Sequence, residues 1–259
     1  MKKLLFLLFM FCLVCGTLIC RALTNKNVLF VNADKTALKG TLNNKVEKET
    51  EEDIFYAKFF RKKPQCKIFG KQLLKQAIKD PYFFYIVDKK NLLPADYNPQ
   101  DLIGEGKYAV RKQTKEAFDK MAEAAKQDGI SLGILSGFRP YSRQEYLFNR
   151  SVQTRGQAHA DKYVARPGAS QHQLGLAADI NSVEDSFVNT KEYAWLKENA
   201  CKYGFSLSFP KGQEEKTGYA FEPWHYRYIT SEGCKMQKEH FNDSQVDFLE
   251  AINACLPQN

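Results

Sequence analysis

Residues 170–180 read SQHQLGLAADI, and in that stretch His172 and Asp179 stand on either side of a glycine within an otherwise apolar run. Ala177 to Ile180 predicts a short buried strand, bounded by the turn signal at Gly175. A carboxylate in such a strand is costly to bury unless it is paired or bound to a metal, so Asp179 calls for a cation. Gly175, Ala177 and Ala178 keep side-chain bulk down. The backbone carrying His172 can therefore lie close to the strand carrying Asp179, with a sharp turn between them.

A second histidine stands in an equally specific setting, Glu222-Pro223-Trp224-His225-Tyr226-Arg227. Two imidazoles and a carboxylate, His172, His225 and Asp179, suffice for a catalytic zinc site, which takes three N/O ligands and leaves a position open for water. Glu222 is then left over as a base. Pro223 keeps residue 222 out of the helical region, so this is not a helical HExxH pair. On a flat strand positions i and i+3 face opposite ways, which predicts a twist or bulge at Pro223-Trp224 if both side chains are to meet one metal. The remaining histidines, His159 and His240, lack acidic or glycine context and are assigned to the surface.

Working outward, Tyr82 to Val87 is a β-prone aromatic run and Leu92 to Asp101 a Pro/Asn/Asp loop. Arg111 to Lys126 is an amphipathic helix with Ala117, Phe118, Met121, Ala124 and Ala125 on one side, stopped by Asp128-Gly129. Ile130 to Leu135 predicts a strand entering SGFRPY, and Ser142 to Ser151 resumes helically, with Ser142 as N-cap and Glu145 at the capping-box position. A helix near Glu192 to Lys202 and strands near Phe205 to Phe209 and His225 to Ile229 follow. Strands separated by helices without regular βαβ alternation point to an α+β fold, a central antiparallel sheet flanked by helices.

The N-terminus distorts the chain's overall totals. Met1-Lys2-Lys3 is followed by the uncharged run Leu4 to Ile19 and by Cys20-Arg21-Ala22, which predicts a signal peptide over residues 1–22 and an exported protein. The apolar run is shorter than the ~20 residues that span a bilayer; an N-terminal membrane anchor is the alternative if the signal is not cleaved. Removing that segment takes away Lys2, Lys3 and Arg21 and no acid, which trims the formal charge of +8. The remaining Lys and Arg are interleaved with acids, without a basic-aromatic module, so nucleic acid is not an expected partner. The cut leaves Cys66, Cys201, Cys234 and Cys255, an even set that export permits to pair in any of three ways. The local pair, Cys234 with Cys255, would tie the tail back. Beyond residues 1–22 the expected organisation is an accessory segment over 23–80, with two short helices in Ile54 to Ile78, a catalytic domain over 81–233 and a tail over 234–259.

SGFRPYSRQ (136–144), RPGASQHQLGLAADI (166–180) and YGFSLSFPKGQEEKTGYAFEPWHYRY (203–228) resemble, in order, the signature blocks of the VanY-type D-alanyl-D-alanine carboxypeptidases, LAS-group zinc peptidases that also include peptidoglycan L,D-carboxypeptidases. The resemblance covers about Leu92 to Thr230. It implies Zn²⁺ held by His172, Asp179 and His225, Glu222 as general base and Arg139 stabilising the oxyanion, with peptidoglycan stem peptides or precursors as partners. It implies the LAS/VanY-like fold and release of a terminal D-alanine from pentapeptide stems. L,D-carboxypeptidase action on tetrapeptides and endopeptidase action share the same catalytic blocks. A non-catalytic wall-binding module would require loss of the base or the arginine, and both are present. Ser136, Gln144 and Ser170 are candidate substrate contacts, set against ordinary loop chemistry for the two serines. Trp224 is a candidate substrate wall, set against a place in the core. Arg227 is a candidate partner of Glu222 or Asp179, or a surface ion pair. One departure stands out: family members often carry a basic residue where Ser208 precedes Phe209-Pro210, so the stem contacts there are expected to differ.

Overall fold

The computed structural model describes residues 50–256. The expected signal peptide and the accessory segment as far as residue 49 lie outside the described residues. Among the described residues, strands β1 (Leu102–Ile103) and β2 (Val110–Arg111) form a small antiparallel ribbon. Strands β3 (Ile134–Ser136), β4 (Ala177–Ile180), β5 (Phe205–Leu207) and β6 (His225–Tyr228) form an antiparallel sheet in the order β3-β4-β6-β5. The helices are α1 (Glu51–Lys62), α2 (Gly70–Lys79), α3 (Lys112–Gln127), α4 (Tyr141–Arg155), α5 (Gln157–Tyr163), α6 (Lys191–Asn199), α7 (Glu214–Thr217), α8 (Ser231–His240) and α9 (Gln245–Asn253). The fold is α+β, and β4, buried at every position, is an inner strand.

Side-chain alternation gives the sheet two different faces. Ala178 and Ile180 of β4 and Tyr226 of β6 pack against Phe118 and Met121 of α3, Leu196 of α6, and Phe205. Burying such side chains contributes about 1.5–3 kcal/mol each. Asp179 and His225 are cross-strand partners on the opposite face, and Ser136 of β3 is opposite Asp179 from the other side.

A second core lies on the outer helices. Tyr56, Cys66, Phe69, Leu73 and Leu74 pack with Phe248, Leu249 and Ile252 of α9 and with Leu174, Leu176 and Ile229. The disulfide joins Cys66 to Cys255 across 189 residues of sequence, not Cys234 to Cys255. The tail is thus tied to the N-terminal helices. Lys63 adds to the tie, its Nζ donating to the carbonyls of Ala254, Cys255 and Leu256 at 3.1–3.2 Å just past the end of α9. Cys201 and Cys234 are free thiols.

Two local expectations are corrected. Tyr82 to Val87 is not a strand; its carbonyls are taken by side chains, Phe83 and Tyr85 by Arg227 Nη2 and Phe84 by Asn253 Nδ2. Aromatic side chains made the run β-prone, but side-chain donors replace a ladder partner there. Ser142 does not cap α4, which begins at Tyr141 after Pro140. The Pro140 carbonyl accepts from the amides of Arg143 and Gln144, and the fixed proline φ sets the entry of the helix. Among the described residues no helix is long and apolar enough to cross a membrane.

Candidate metal centre and catalytic cleft

His172 sits in a 3-10 turn over Gln171–Leu174 that ends at Gly175 in the left-handed region, φ 68°. A side chain at Gly175 would press on Arg111 Cγ at 2.9 Å and Leu102 Cδ2 at 3.0 Å, so the turn into β4 needs glycine on both counts. The SGFR segment clamps the histidine from the other side. Gly137 carbonyl accepts from His172 Nδ1 at 2.6 Å, and the Arg139 amide donates to the His172 carbonyl at 3.2 Å. Gly137 itself lies against the ribbon, where an added Cβ would overlap the Ala109 carbonyl oxygen.

With Nδ1–H committed to Gly137, His172 presents Nε2, 3.3 Å from Asp179 Oδ2. His225 presents Nδ1, 3.1 Å from Asp179 Oδ1, while its Nε2 meets Gln171 Oε1 at 3.2 Å. Ligand atoms of His172, Asp179 and His225 all lie within 4.8 Å of one another, and all three residues are buried. Burial holds the His172 imidazole down at about 4, so it is neutral with a free lone pair. Burial alone would raise Asp179, but protons shared with it by the two imidazoles outweigh burial and keep its carboxyl well below the usual range, and a metal ion would take the place of those protons. Two imidazoles and a carboxylate at this spacing are a donor set that a zinc ion takes.

Glu222 reaches this centre by a turn and not by a bulged strand. His225 amide donates to the Glu222 carbonyl at 3.2 Å across Pro223-Trp224, and β6 starts only at His225. The proline suits the second position of a β-turn. This brings Glu222 Oε2 to 3.7 Å from His225 Nδ1. The cleft walls desolvate the carboxyl and push it up to about 7, against the pull of His225. A dication on the neighbouring donors would lower it towards the carboxylate.

Arg139 completes the group, with Nη2 3.9 Å from Asp179 Oδ2. Its guanidinium is held from two sides: Gln144 Oε1 accepts from Nη1 at 2.9 Å and Ser136 Oγ from Nη2 at 3.1 Å. Gln144 is in turn anchored by donating to the Ala165 carbonyl at 2.6 Å. Ser136 and Gln144 therefore orient the arginine, whatever they contribute to substrate. Arg139, Gln144, Ser170, Tyr219, Glu222 and Trp224 line a cleft of about 430 Å³ with the three metal donors at its base. Trp224 is half-buried, one side against the α3 core and one side in the cleft.

Arg227 is the clear correction. It shares a face with His225 but lies two residues further along β6, roughly 7 Å away, beneath Phe83 and Tyr85, whose carbonyls accept from its Nη2 at 2.9 Å. It touches neither Glu222 nor Asp179 through any hydrogen bond or ion pair, and it is fully buried. Its role is to satisfy backbone. Two residues of the site, Gln171 and Tyr219, escaped sequence reading, and Ser208 was marked only as a departure in the stem contacts. Gln171 and Ser208 form a layer behind His225, Ser208 Oγ donating to Gln171 Oε1 at 2.7 Å. Ser208 is thus behind the ligand and not in the stem groove. Tyr219 lines the cleft with a buried hydroxyl that has no partner among the described residues. Only the adjacency of Gln171 to His172 could have hinted at any of them.

Comparison with known proteins agrees with this centre. Residues 107–231 match the family model described as VanY: D-alanyl-D-alanine carboxypeptidase. A putative carboxypeptidase, YodJ, of Bacillus subtilis is 36% identical over 171 residues, 60% of this chain and 63% of that protein. The solved structure of the LdcB LD-carboxypeptidase matches with TM-score 0.60 and 35% identity, over 64% of this chain and 84% of the other. A vancomycin-resistance D,D-pentapeptidase, a VanY variant in complex with Zn(II), matches with TM-score 0.57 and 30% identity, over 65% of this chain and 99% of the other. The chain spans less than two thirds of the length of the curated relatives it matches.

Proposed function

The chain belongs to the VanY D-alanyl-D-alanine carboxypeptidase family, and from that premise we propose that it is an exported zinc carboxypeptidase that removes the terminal D-alanine from peptidoglycan pentapeptide stems or their precursors. The observation that carries the reading is Glu222 Oε2 at 3.7 Å from His225 Nδ1, in the same cleft as the His172, Asp179 and His225 set. Export rests on the sequence of residues 1–22.

Zinc held by these donors supplies Lewis acidity, polarising the scissile carbonyl and easing loss of a proton from the attacking water. Glu222 takes that proton and passes it to the nitrogen of the departing D-alanine, a role suited to a carboxyl whose proton affinity the cleft has raised. Arg139, fixed by Ser136 and Gln144, faces the negative charge that grows on the carbonyl oxygen, and it cannot lose its own proton in doing so. The pocket walls, Trp224 and Tyr219 among them, shield the cleft from bulk water. No covalent intermediate is needed, because among the described residues no serine or cysteine of the cleft is hydrogen-bonded to a histidine or carboxylate there.

A second reading is favoured by the similarity to the LdcB LD-carboxypeptidase: the same residues would then cut an L,D bond in tetrapeptide stems. The two are separated by incubating the purified protein with pentapeptide and tetrapeptide stems and weighing the products. Loss of one alanine from pentapeptide alone is the expected result. Cleavage of tetrapeptide alone would replace it with the second reading, and release that persists in Glu222→Ala would overturn the mechanism of both.

A further inference from the structure

We propose that Gln245, at the start of α9, is a positioning residue for the metal ligand His225, acting through Gln171. The two glutamines form a directional chain behind the metal centre. Gln171 Oε1 accepts from Ser208 Oγ at 2.7 Å and faces His225 Nε2 at 3.2 Å. Its Nε2 then donates to Gln245 Oε1 at 3.3 Å. Gln245 Nε2 donates in turn to Ser206 Oγ at 3.0 Å and the Ser206 carbonyl at 3.4 Å. Gln171, Gln245, Ser206 and Ser208 are 7%, 3%, 5% and 2% exposed, so water does not substitute for any of these contacts.

The orientation of each amide decides where the His225 proton sits. A primary amide has an accepting oxygen and a donating nitrogen. With the Ser206 carbonyl accepting from Gln245 Nε2, the oxygen of Gln245 must face Gln171, which turns the Gln171 nitrogen towards Gln245 and its oxygen towards His225. An oxygen opposite Nε2 keeps a proton there and leaves Nδ1, the nitrogen 3.1 Å from Asp179 Oδ1, as the one free to bind the metal. Were the Gln171 amide reversed, its NH₂ would draw the lone pair to Nε2, and the proton would move to the nitrogen that must bind metal.

Gln245 lies beyond residue 231, where the match to the family model ends. Its helix is held in place by the Ser244 cap, whose Oγ accepts from the Asp247 amide, and by the Cys66–Cys255 disulfide. The outer helices thus contribute to the chemistry of a site whose ligands lie elsewhere. The inference rests on the zinc set of the proposed function and not on its substrate, so it stands or falls whichever stem is cut.

The test is zinc affinity, measured on the full chain by competition with a chromogenic chelator, without substrate. Gln245→Met keeps the length and removes the acceptor for Gln171; zinc binding is expected to weaken about tenfold, the lower end of what loss of an outer partner costs. Activity should return at saturating zinc with KM unchanged. Gln245→Glu keeps an acceptor towards Gln171 and should remain near the wild-type affinity. Melting of the metal-free variants gives the control, since a purely structural role would lower Tm and leave zinc affinity alone. A folded Gln245→Met with wild-type affinity, or Met and Glu variants weakened alike, would overturn the proposal. Should Gln245→Met not fold, the smaller Gln245→Ala, which likewise removes the acceptor for Gln171, must weaken zinc binding in the same direction, and an unchanged affinity overturns the proposal equally. Long-range ¹H–¹⁵N spectra of the zinc-loaded wild type should place the His225 proton on Nε2; a bare Nε2 is the opposite result.

Discussion

The sheet that carries the metal donors and the helical layer formed by α1, α2, α8 and α9 are built by different rules. In the sheet, Ser136, Asp179 and His225 stand in one row across β3, β4 and β6, so backbone register alone brings two of the three donors together. In the helical layer the core is drawn from residues 56–74 and 248–252 and closed by a disulfide whose ends are 189 residues apart. Chemistry demands donors at fixed offsets and therefore leaves a local pattern. A packed layer demands only apolar volume, which many patterns supply. Two arginines show the same contrast: the half-buried Arg139 is held by side chains and faces the cleft, whereas the buried Arg227 faces main-chain carbonyls and supports the layer.

The comparison is sharpened by substitutions that ought to separate activity from stability. The largest effect is expected from Asp179→Asn, which removes the charge between the two imidazoles. Zinc content after dialysis should fall to background and turnover by about 10³-fold or more, since both Lewis acid and water activation go with the ion. Removing the metal from the wild type with a chelator should reproduce this loss, and added zinc should reverse it. Arg139→Lys should lower kcat by about 10²–10³-fold and leave zinc content intact, because one donor to the developing oxyanion is lost and no ligand is touched. A kcat near wild type would place the arginine outside the reaction.

On the helical side the order of effects should appear in unfolding and not in turnover. Cys66→Ser with Cys255→Ser opens a loop that spans most of the described chain and should cost about 2–5 kcal/mol by denaturant unfolding. If zinc affinity falls as well, α9 has moved and the Gln245 relay with it. Arg227→Met leaves the carbonyls of Phe83 and Tyr85 without their donor, and about 1–3 kcal/mol should be lost with kcat at saturating zinc unchanged. A large loss of kcat at full zinc loading would return Arg227 to the catalytic group. The smallest effect is expected from Ser244→Ala, about 1 kcal/mol for the N-cap of α9.

Much of the site was legible because its residues are rare and their neighbours restrictive. Four histidines in the chain left few ligand sets, Gly175 marked the turn, and Pro223 ruled out a helical pair. The manner in which Glu222 meets His225 was not legible, since a turn and a bulge both satisfy the same spacing. Ser208 was hard to place for a similar reason: beside Phe209-Pro210 it reads as part of the stem contacts, yet just past the end of β5 its hydroxyl donates to Gln171 behind His225. The run Tyr82 to Val87 misled because β propensity reports side-chain fit to a surface, and here the surface was another core with its own hydrogen-bond donors.

The linear chain by itself singled out His172, Asp179, His225, Glu222, Arg139 and the glycine turn, because each stands in a requirement on residue type at a short offset. Tertiary structure decided which nitrogen of each imidazole faces the metal, what lies behind His225, where Arg227 spends its hydrogen bonds and which cysteines pair. Those depend on partners 35 to 189 residues away, and contact at such separations is set by how layers pack, which no local pattern records.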